Sequence, residues 1–342
     1  MVKDSKFLER YSRMLALRDF DEKDLDAIRN TTISLVGAGG LGSPILILLT
    51  SIGFGRIRII DRDIVDLSNL QRQIIYNTQD IGKPKVDAAV ENLSKLNPEV
   101  ILDPIAATLR YDNAVDLLEG SDIVIDGLDS MESRRAVNAA CQKLGIPYIY
   151  AGALEYYGNV STFIPHQTGC LHCLVGDMQD DPEATCANVG VSSPLLSMVA
   201  SVEVREAVLL AAKKPPRLAG KLMYLDIDTL SFETFEISRM ENCPICGKDE
   251  QPDVSRISEI NVTMVCSGSF SISPPEFLSL DFDKIEAQFA NKYHITRRLR
   301  SLILENADGI KITLMSRGNA VVEGVQSAED AVSYYSEIVP TM

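Results

Sequence analysis

The chain has 342 residues, 46% of them apolar and 24% charged, enough for one large α/β domain and a smaller appendage. A net charge of −15 argues against a sequence-independent grip on nucleic acid, which needs a basic face. The first thirty residues are charged and hold no signal-like apolar core, and apolar runs such as 44–52 and 198–202 are too short to span a bilayer. The expected compartment is therefore the cytoplasm, with no membrane partner.

Residues 5–30 have helical spacing, with Phe7, Tyr11, Met14 and Leu15 on one stripe. A short apolar strand over 32–36 runs into Gly37-Ala38-Gly39-Gly40-Leu41-Gly42, and an apolar helix near 43–52 follows at once. A second strand, 57–60, ends in Asp61-Arg62-Asp63. Helices over 83–96, 113–118 and 131–144 then alternate with strands over 100–106, 123–125 and 148–151. That alternation predicts a parallel sheet wound by right-handed crossovers. Past Gly152 the pattern changes to a strand at 160–164, an acidic loop at 177–183, a long helix near 194–212 and strands at 223–226 and 232–237. Residues 247–253 read as a linker. The remainder of the chain reads as a strand, a helix over 282–306, a hairpin turning at Arg317-Gly318-Asn319 and a last helix over 328–338.

Gly37-x-Gly39-x-x-Gly42 lies between a strand and a helix, where small residues let the backbone approach phosphates at a helix N-terminus. Asp61, about twenty residues past the last glycine, is placed to accept hydrogen bonds from ribose hydroxyls. Alone these features predict an adenine nucleotide, and a nicotinamide-dependent oxidoreductase is one reading of them. Arg72 and Lys85 are further on, able to gather around a triphosphate and neutralise charge developing as a phosphoryl bond breaks. Asp129 comes after a predicted strand end, where a carboxylate can hold Mg²⁺ together with substrate phosphates. No Gly-x-x-x-x-Gly-Lys-Ser/Thr loop is present, which excludes an ordinary P-loop NTPase.

In combination, Gly37–Gly42, Asp61-x-Asp63, Ser68-Asn69-Leu70-x-Arg72-Gln73, Gly82-x-Pro84-Lys85 and Leu128-Asp129 resemble the MoeB/ThiF/HesA family of ubiquitin-activating-enzyme-like adenylyltransferases, over about residues 10–247. The resemblance implies a doubly wound, Rossmann-like domain that uses ATP and Mg²⁺ to adenylate the terminal glycine of a small ubiquitin-like or sulfur-carrier protein ending in Gly-Gly. It places Gly37, Gly39, Gly40, Gly42, Asp61, Asp63, Asn69, Arg72, Gln73 and Lys85 at the nucleotide, and Asp129 at the magnesium. It further implies a homodimer in which Arg13 reaches the neighbouring subunit's site. Ser130 stands where the family usually has Asn. Arg134 and Asn138 match its downstream helix, where Arg134 reads equally as a site group and as a surface charge.

Cys170-Leu171-His172-Cys173 and Cys243-Pro244-Ile245-Cys246 can supply four thiolates, the number and spacing of a closed tetrahedral Zn²⁺ site, with His172 as a spare donor. A redox pair is disfavoured because neither pair is expected to open a helix after a strand. Cys186 sits in a polar loop before a helix, where a thiol tends towards the reactive thiolate. The resemblance gives that position acyl transfer as a thioester, or sulfur transfer; a plain loop cysteine is the alternative. Cys141 and Cys266 read as structural.

The expected organisation is a helical segment (1–30), an ATP-binding domain (31–152), a carrier-binding, crossover and zinc-binding part (153–250) and a small C-terminal α+β domain (255–342). That last domain lies outside the resemblance, carries no catalytic constellation, and reads as a docking or dimer-stabilising module. A sulfur donor or a conjugating enzyme would be a separate protein. A non-catalytic scaffold is a further alternative, and the carrier's pathway (molybdopterin, thiamin, tRNA thiolation or protein conjugation) is left open.

Overall fold

The computed structural model describes residues 5–181, 188–247, 260–264, 269–275, 278–298 and 300–339. Two helices, α1 (Ser5–Leu15) and α2 (Glu22–Arg29), stand where one helical stretch was expected. The interruption has a local cause. The Asp21 carboxylate accepts from the amides of Lys23 and Asp24 at 2.8 and 3.0 Å, and so founds a new helix N-terminus.

The next elements alternate: β1 (Thr32–Val36), α3 (Gly42–Ile52), β2 (Arg56–Asp61), α4 (Lys85–Leu96), β3 (Ile101–Ala106), α5 (Ala114–Leu118), β4 (Ile123–Asp126), α6 (Met131–Leu144) and β5 (Tyr148–Leu154). They form a parallel sheet in the order β3-β2-β1-β4-β5. From β1 the chain goes outward to β2 and β3, then returns to β4 on the other side. The carboxyl ends of β1 and β4 thus form a topological switch point, where a crevice opens in sheets of this kind. The sheet then continues antiparallel through β6 (Tyr157–Phe163), β7 (Lys221–Asp226) and β8 (Ser231–Glu236), with α7 (Leu171–Val175) and α8 (Ser193–Ala211) inserted between β6 and β7.

Side chains of β1 show why both sheet faces are covered. Ile33 and Leu35 point into a core with Ile45 and Leu49 of α3 and Leu195 and Val199 of α8. Val36 points the other way, to Val137 of α6 and Leu117 of α5. No helix among the described residues is long and apolar enough to cross a membrane.

The C-terminal unit holds β9 (Asn261–Met264), β10 (Phe270–Ser273), α9 (Phe282–Phe289), β11 (His294–Arg297), β12 (Ser301–Glu305), β13 (Lys311–Met315), β14 (Ala320–Glu323) and α10 (Ala328–Ile338). Its sheet is antiparallel in the order β11-β12-β13-β14-β10-β9. The helix expected over 282–306 therefore ends at Phe289, and two strands replace its second half. Leu302 and Leu304 decide this: two residues apart, the period of a strand, they are both fully buried in the core under α9 and α10.

One buried group in the first core is unusual. Glu203 of α8 is 0% exposed, and neither carboxyl oxygen has a hydrogen-bond partner among the described residues. Burial pushes its carboxyl well above the ordinary range, the nearby Asp126 adds to this, and Arg134 opposes it. A carboxyl raised in the folded state contributes its full stability only below its unfolded pKa of about 4.3, and loses it as pH climbs towards the folded value. Glu203→Gln should therefore gain on the parent chain by up to about 1.4 kcal/mol per pH unit above pH ~4.5. Denaturant melts of both proteins between pH 4 and 8 test this, and a pH-independent difference would sink it.

Candidate active site

The crevice at the switch point is shaped by backbone contact. Gly37 turns with φ +94°, and a Cβ there would lie 2.3 Å from the Gly127 carbonyl oxygen. One on Gly42 would lie 1.9 Å from the Gly37 carbonyl oxygen. The turn from β1 into α3 is thus packed against the turn after β4, at a distance no side chain tolerates. Gly40 rests on α8, where a Cβ would meet Leu196 at 3.0 Å. Gly39 faces more open space: the one atom its Cβ would approach is Gln73 Nε2, at 3.9 Å.

Charged groups gather at the end of β2, beside this turn. Asp61 accepts from the amides of Ala38 and Asp63, both at 2.7 Å, which ties β2 to the glycine turn. Lys85, the first residue of α4, is 5% exposed and donates to Asp63 Oδ2 at 3.0 Å. Burial works against its ammonium, but the carboxylates of Asp63 and Asp61 hold its pKa above the usual lysine range, with Asp129 adding to the effect. Burial likewise works against the Asp63 carboxylate, but Lys85 and Arg62 hold it below its ordinary value. Burial pushes Asp61 up, opposed by Lys85. Tyr76 donates to the Ala38 carbonyl at 2.9 Å and closes the floor.

Arg72 and Gln73 lie over the glycine turn. Arg72 Cδ is 3.8 Å from where a Gly40 Cβ would sit, and its guanidinium donates to the Ser68 carbonyl at 2.9 Å. Gln73 is 3% exposed, and its Oε1 has no hydrogen-bond partner among the described residues. A glycine turn with room at Gly39 and the adjoining cations fit a phosphate-bearing ligand, while the orphaned Gln73 acceptor suits a hydroxyl or amine donor of such a ligand. Asn69 holds the same segment from below. Its side-chain oxygen accepts from the Asp66 amide at 3.2 Å, capping the turn that carries Arg72 and Gln73. Asp129 is exposed beyond the end of β4, within electrostatic reach of Lys85.

Arg134 turns out to be a buried strut. It pairs with Asp126 at 3.1 Å and donates to the carbonyls of Leu128 and Ala151 at 2.7 and 2.8 Å. Tyr148 donates to the same Asp126 carboxylate at 2.5 Å. This network fixes the segment leading to Asp129. Asp126 escaped the sequence reading because an aspartate closing a predicted apolar strand carries no motif; the clue was an acidic strand end facing an Arg eight residues on. Asn138 accepts from the Leu171 amide at 3.0 Å and positions α7.

One sequence candidate is not brought to this crevice. Arg13 is exposed on α1. Its neighbour Tyr11 packs at Gly53, the far end of α3, about 16 Å along the helix from the glycine turn. Cys186 lies outside the described residues, as does Cys266. Cys141 is buried on α6, and burial raises its thiol pKa, as a packing residue requires.

The two cysteine pairs converge. Cys170, Cys173, Cys243 and Cys246 have their sulfurs within 4.8 Å of one another, with Cys170–Cys243 at 3.7 Å and Cys173–Cys246 at 3.5 Å. Four thiolates around a tetrahedral ion with bonds of about 2.3 Å would stand roughly 3.8 Å apart, so this donor set fits zinc. His172 is not part of the group. Contrary to expectation, the first pair does open a short helix, with Cys170 at the N-cap position of α7. The convergence of four sulfurs, rather than the lack of a helix, is what disfavours a redox pair.

Residues 11–245 match the ThiF family. Over 265 residues the chain is 30% identical to the SAMP-activating enzyme E1 of Haloferax volcanii, covering 77% of this chain and 97% of that protein. It is 28% identical over 337 residues to the sulfur carrier protein ThiS adenylyltransferase of Bacillus subtilis, covering 95% of this chain and 98% of that one. That similarity runs through the C-terminal unit, which the motifs alone leave outside any resemblance. The fold is shared with the crystal structure of E. coli MccB, with a TM-score of 0.63 at 23% identity, covering 71% of this chain and 74% of that one.

Proposed function

The chain belongs to the ThiF family, and from that premise we propose that it adenylates the C-terminal glycine of a small ubiquitin-like or sulfur-carrier protein at the expense of ATP. The observation that carries this reading is the buried Lys85–Asp63 pair beside a glycine turn overhung by Arg72 and Gln73. The carrier's carboxylate attacks the α-phosphorus, the bond to the bridging oxygen breaks, and pyrophosphate leaves. Glycine-turn amides and the α3 N-terminus receive the phosphates. Lys85 and Arg72 offset the charge that accumulates on the transferring and leaving groups. Asp61 keeps lone pairs for ribose hydroxyls while two amides hold it in place. Asp129 would hold a Mg²⁺ ion that shields the triphosphate. The near full-length similarity to a ThiS adenylyltransferase supports a sulfur carrier as the substrate.

The same reading gives Arg13 to the active site of a second copy, since its own chain places it away from the crevice. Cys186 is the thiol for any later acyl or sulfur transfer. Zinc is the metal of the four cysteines, joining the first turn of α7 to the residues after β8, and so closing the segment that contains α8.

ATP–pyrophosphate exchange, run with each small Gly-Gly-ending protein of the same proteome, should appear with one carrier and vanish in Asp129→Ala. Absence of exchange with every carrier would defeat the reading. Cys186→Ala should keep exchange but lose any thiol-labile carrier adduct; an undiminished adduct removes Cys186 from the pathway. Mixing Arg13→Ala with Asp129→Ala chains should restore part of the activity, and no rescue would mean the sites are not shared. Purified protein should carry one zinc per chain, with Cys243→Ser losing the metal and several kcal/mol of stability. Full zinc content in that variant would show the cluster is not the site.

A further inference from the structure

In the C-terminal unit the sheet is covered on both faces along β10, β12, β13 and β14. Phe270, Ile272, Leu302, Leu304, Ile312 and Leu314 form one face, the core under α9 and α10. The other presents Ser271, Ser273, Ser301, Thr313, Met315 and Asn319, each 3% exposed or less. Such a polar face would ordinarily meet water. Here it meets the end of β3 and the segment after β2.

The junction is specific. Thr108 and Ser273 share a hydrogen bond of 2.5 Å between their hydroxyls, and Asn319 donates to Ser273 Oγ at 2.9 Å. Arg110 donates to the Pro274 carbonyl at 3.2 Å, and Arg300 donates to the Pro104 carbonyl at 2.9 Å. At its centre Ile64 packs with Met315 and Val321, both essentially inaccessible to solvent. Lys311 Nζ lies 3.4 Å from where a Cβ on Gly82 would be.

Ile64 is the residue after Asp63, and its place in the backbone gives this contact its meaning. The Lys85 amide donates to the Asp63 carbonyl, the Val65 amide to the Lys83 carbonyl and the Gly82 amide to the Val65 carbonyl, each at 2.8 Å. Ile64 bridges Pro84 in the same antiparallel pairing. One short pairing therefore carries both Asp63 and Lys85, and the C-terminal sheet presses on its back.

We propose that the C-terminal unit is a clamp on this pairing, with Ile64, Met315 and Val321 as positioning residues that fix the Asp63–Lys85 pair and so set the affinity for ATP. This rests on the reading of the crevice as the ATP site. Met315 and Val321 act through Ile64 and the backbone on either side of it. A cavity opened against Ile64 frees the pairing to open locally, which spreads the positions available to the Lys85 ammonium.

The test uses the full chain with Met315→Ala, and Met315→Leu as the conservative variant. Calorimetric titration with ATP should show about tenfold weaker binding for Met315→Ala, with the carrier's KM unchanged and Met315→Leu restoring affinity. Hydrogen exchange without ATP should be faster at residues 63–65 and 82–85 in the same variant. Parental ATP affinity overturns the clamp, even where the C-terminal unit itself exchanges faster. Parental exchange at 63–65 and 82–85 overturns it too. A parent chain that binds no ATP would instead defeat the proposed function, while the exchange measurement still decides whether the sheet holds the pairing. Should Met315→Ala fail to fold, Val321→Ala, which opens a smaller cavity against Ile64, is read by the same two measurements.

Discussion

A lysine ammonium kept almost wholly out of water is the constraint around which this crevice is organised. Taking a charge into a protein interior costs several kcal/mol unless partners replace its hydration. Lys85 meets that requirement with Asp63 directly and with Asp61 and Asp129 at longer range. Those carboxylates would repel one another without it. Each is therefore tied down: Asp61 by two amides, Asp63 by Lys85, and the approach to Asp129 by the buried Asp126–Arg134 pair. Lys85 and Arg72 are thus held in place before any ligand arrives, which leaves little to reorganise when an anion binds beside them.

The glycine turn supplies the other half of the site by steric means. Gly37 and Gly42 bring β1, α3 and the turn after β4 into direct backbone contact, so the two turns at the switch point form one surface. Around this centre the chain is fastened twice. Four cysteines close the segment that holds α8, and α8 in turn supports Gly40 through Leu196. The C-terminal sheet closes over the outer side of the pairing that carries Asp63 and Lys85. Both fastenings lie outside the crevice and both bear on its geometry.

Much of this was legible in the residue order. The parallel strands and their helices follow from periodicity, the tight turn after β1 from its glycines, and the four-cysteine cluster from two Cys-x-x-Cys pairs. Errors arose where a local pattern was ambiguous. The stretch after α9 carries enough Arg and Leu to read as helix, yet the pairing of β11 with β12 and of β12 with β13, over a core under α9 and α10, makes strands of His294–Arg297 and Ser301–Glu305. The single helix expected over 5–30 breaks because a capping aspartate outweighs the apolar stripe. Arg134 could be read either as a site group or as a surface charge, since nothing adjacent in sequence reveals that its partner is Asp126.

The sequence by itself determined the chemistry on offer: which side chains are charged, which turn can approach a phosphate, and which sulfurs can bind a metal. These are properties of residue type at short spacing, where local sterics and hydrogen bonding dominate. Only the tertiary structure decided which of those groups meet. It set Lys85 between carboxylates, gave Asn69 a capping contact with Asp66, made Arg134 a buried strut, and placed Arg13 away from its own chain's crevice. It also turned a serine- and threonine-rich strand face, which by composition belongs in water, into a buried support for the pairing that carries Asp63 and Lys85. Each of those outcomes depends on contacts between residues far apart in the chain, whose energies come from packing and desolvation that no local window contains.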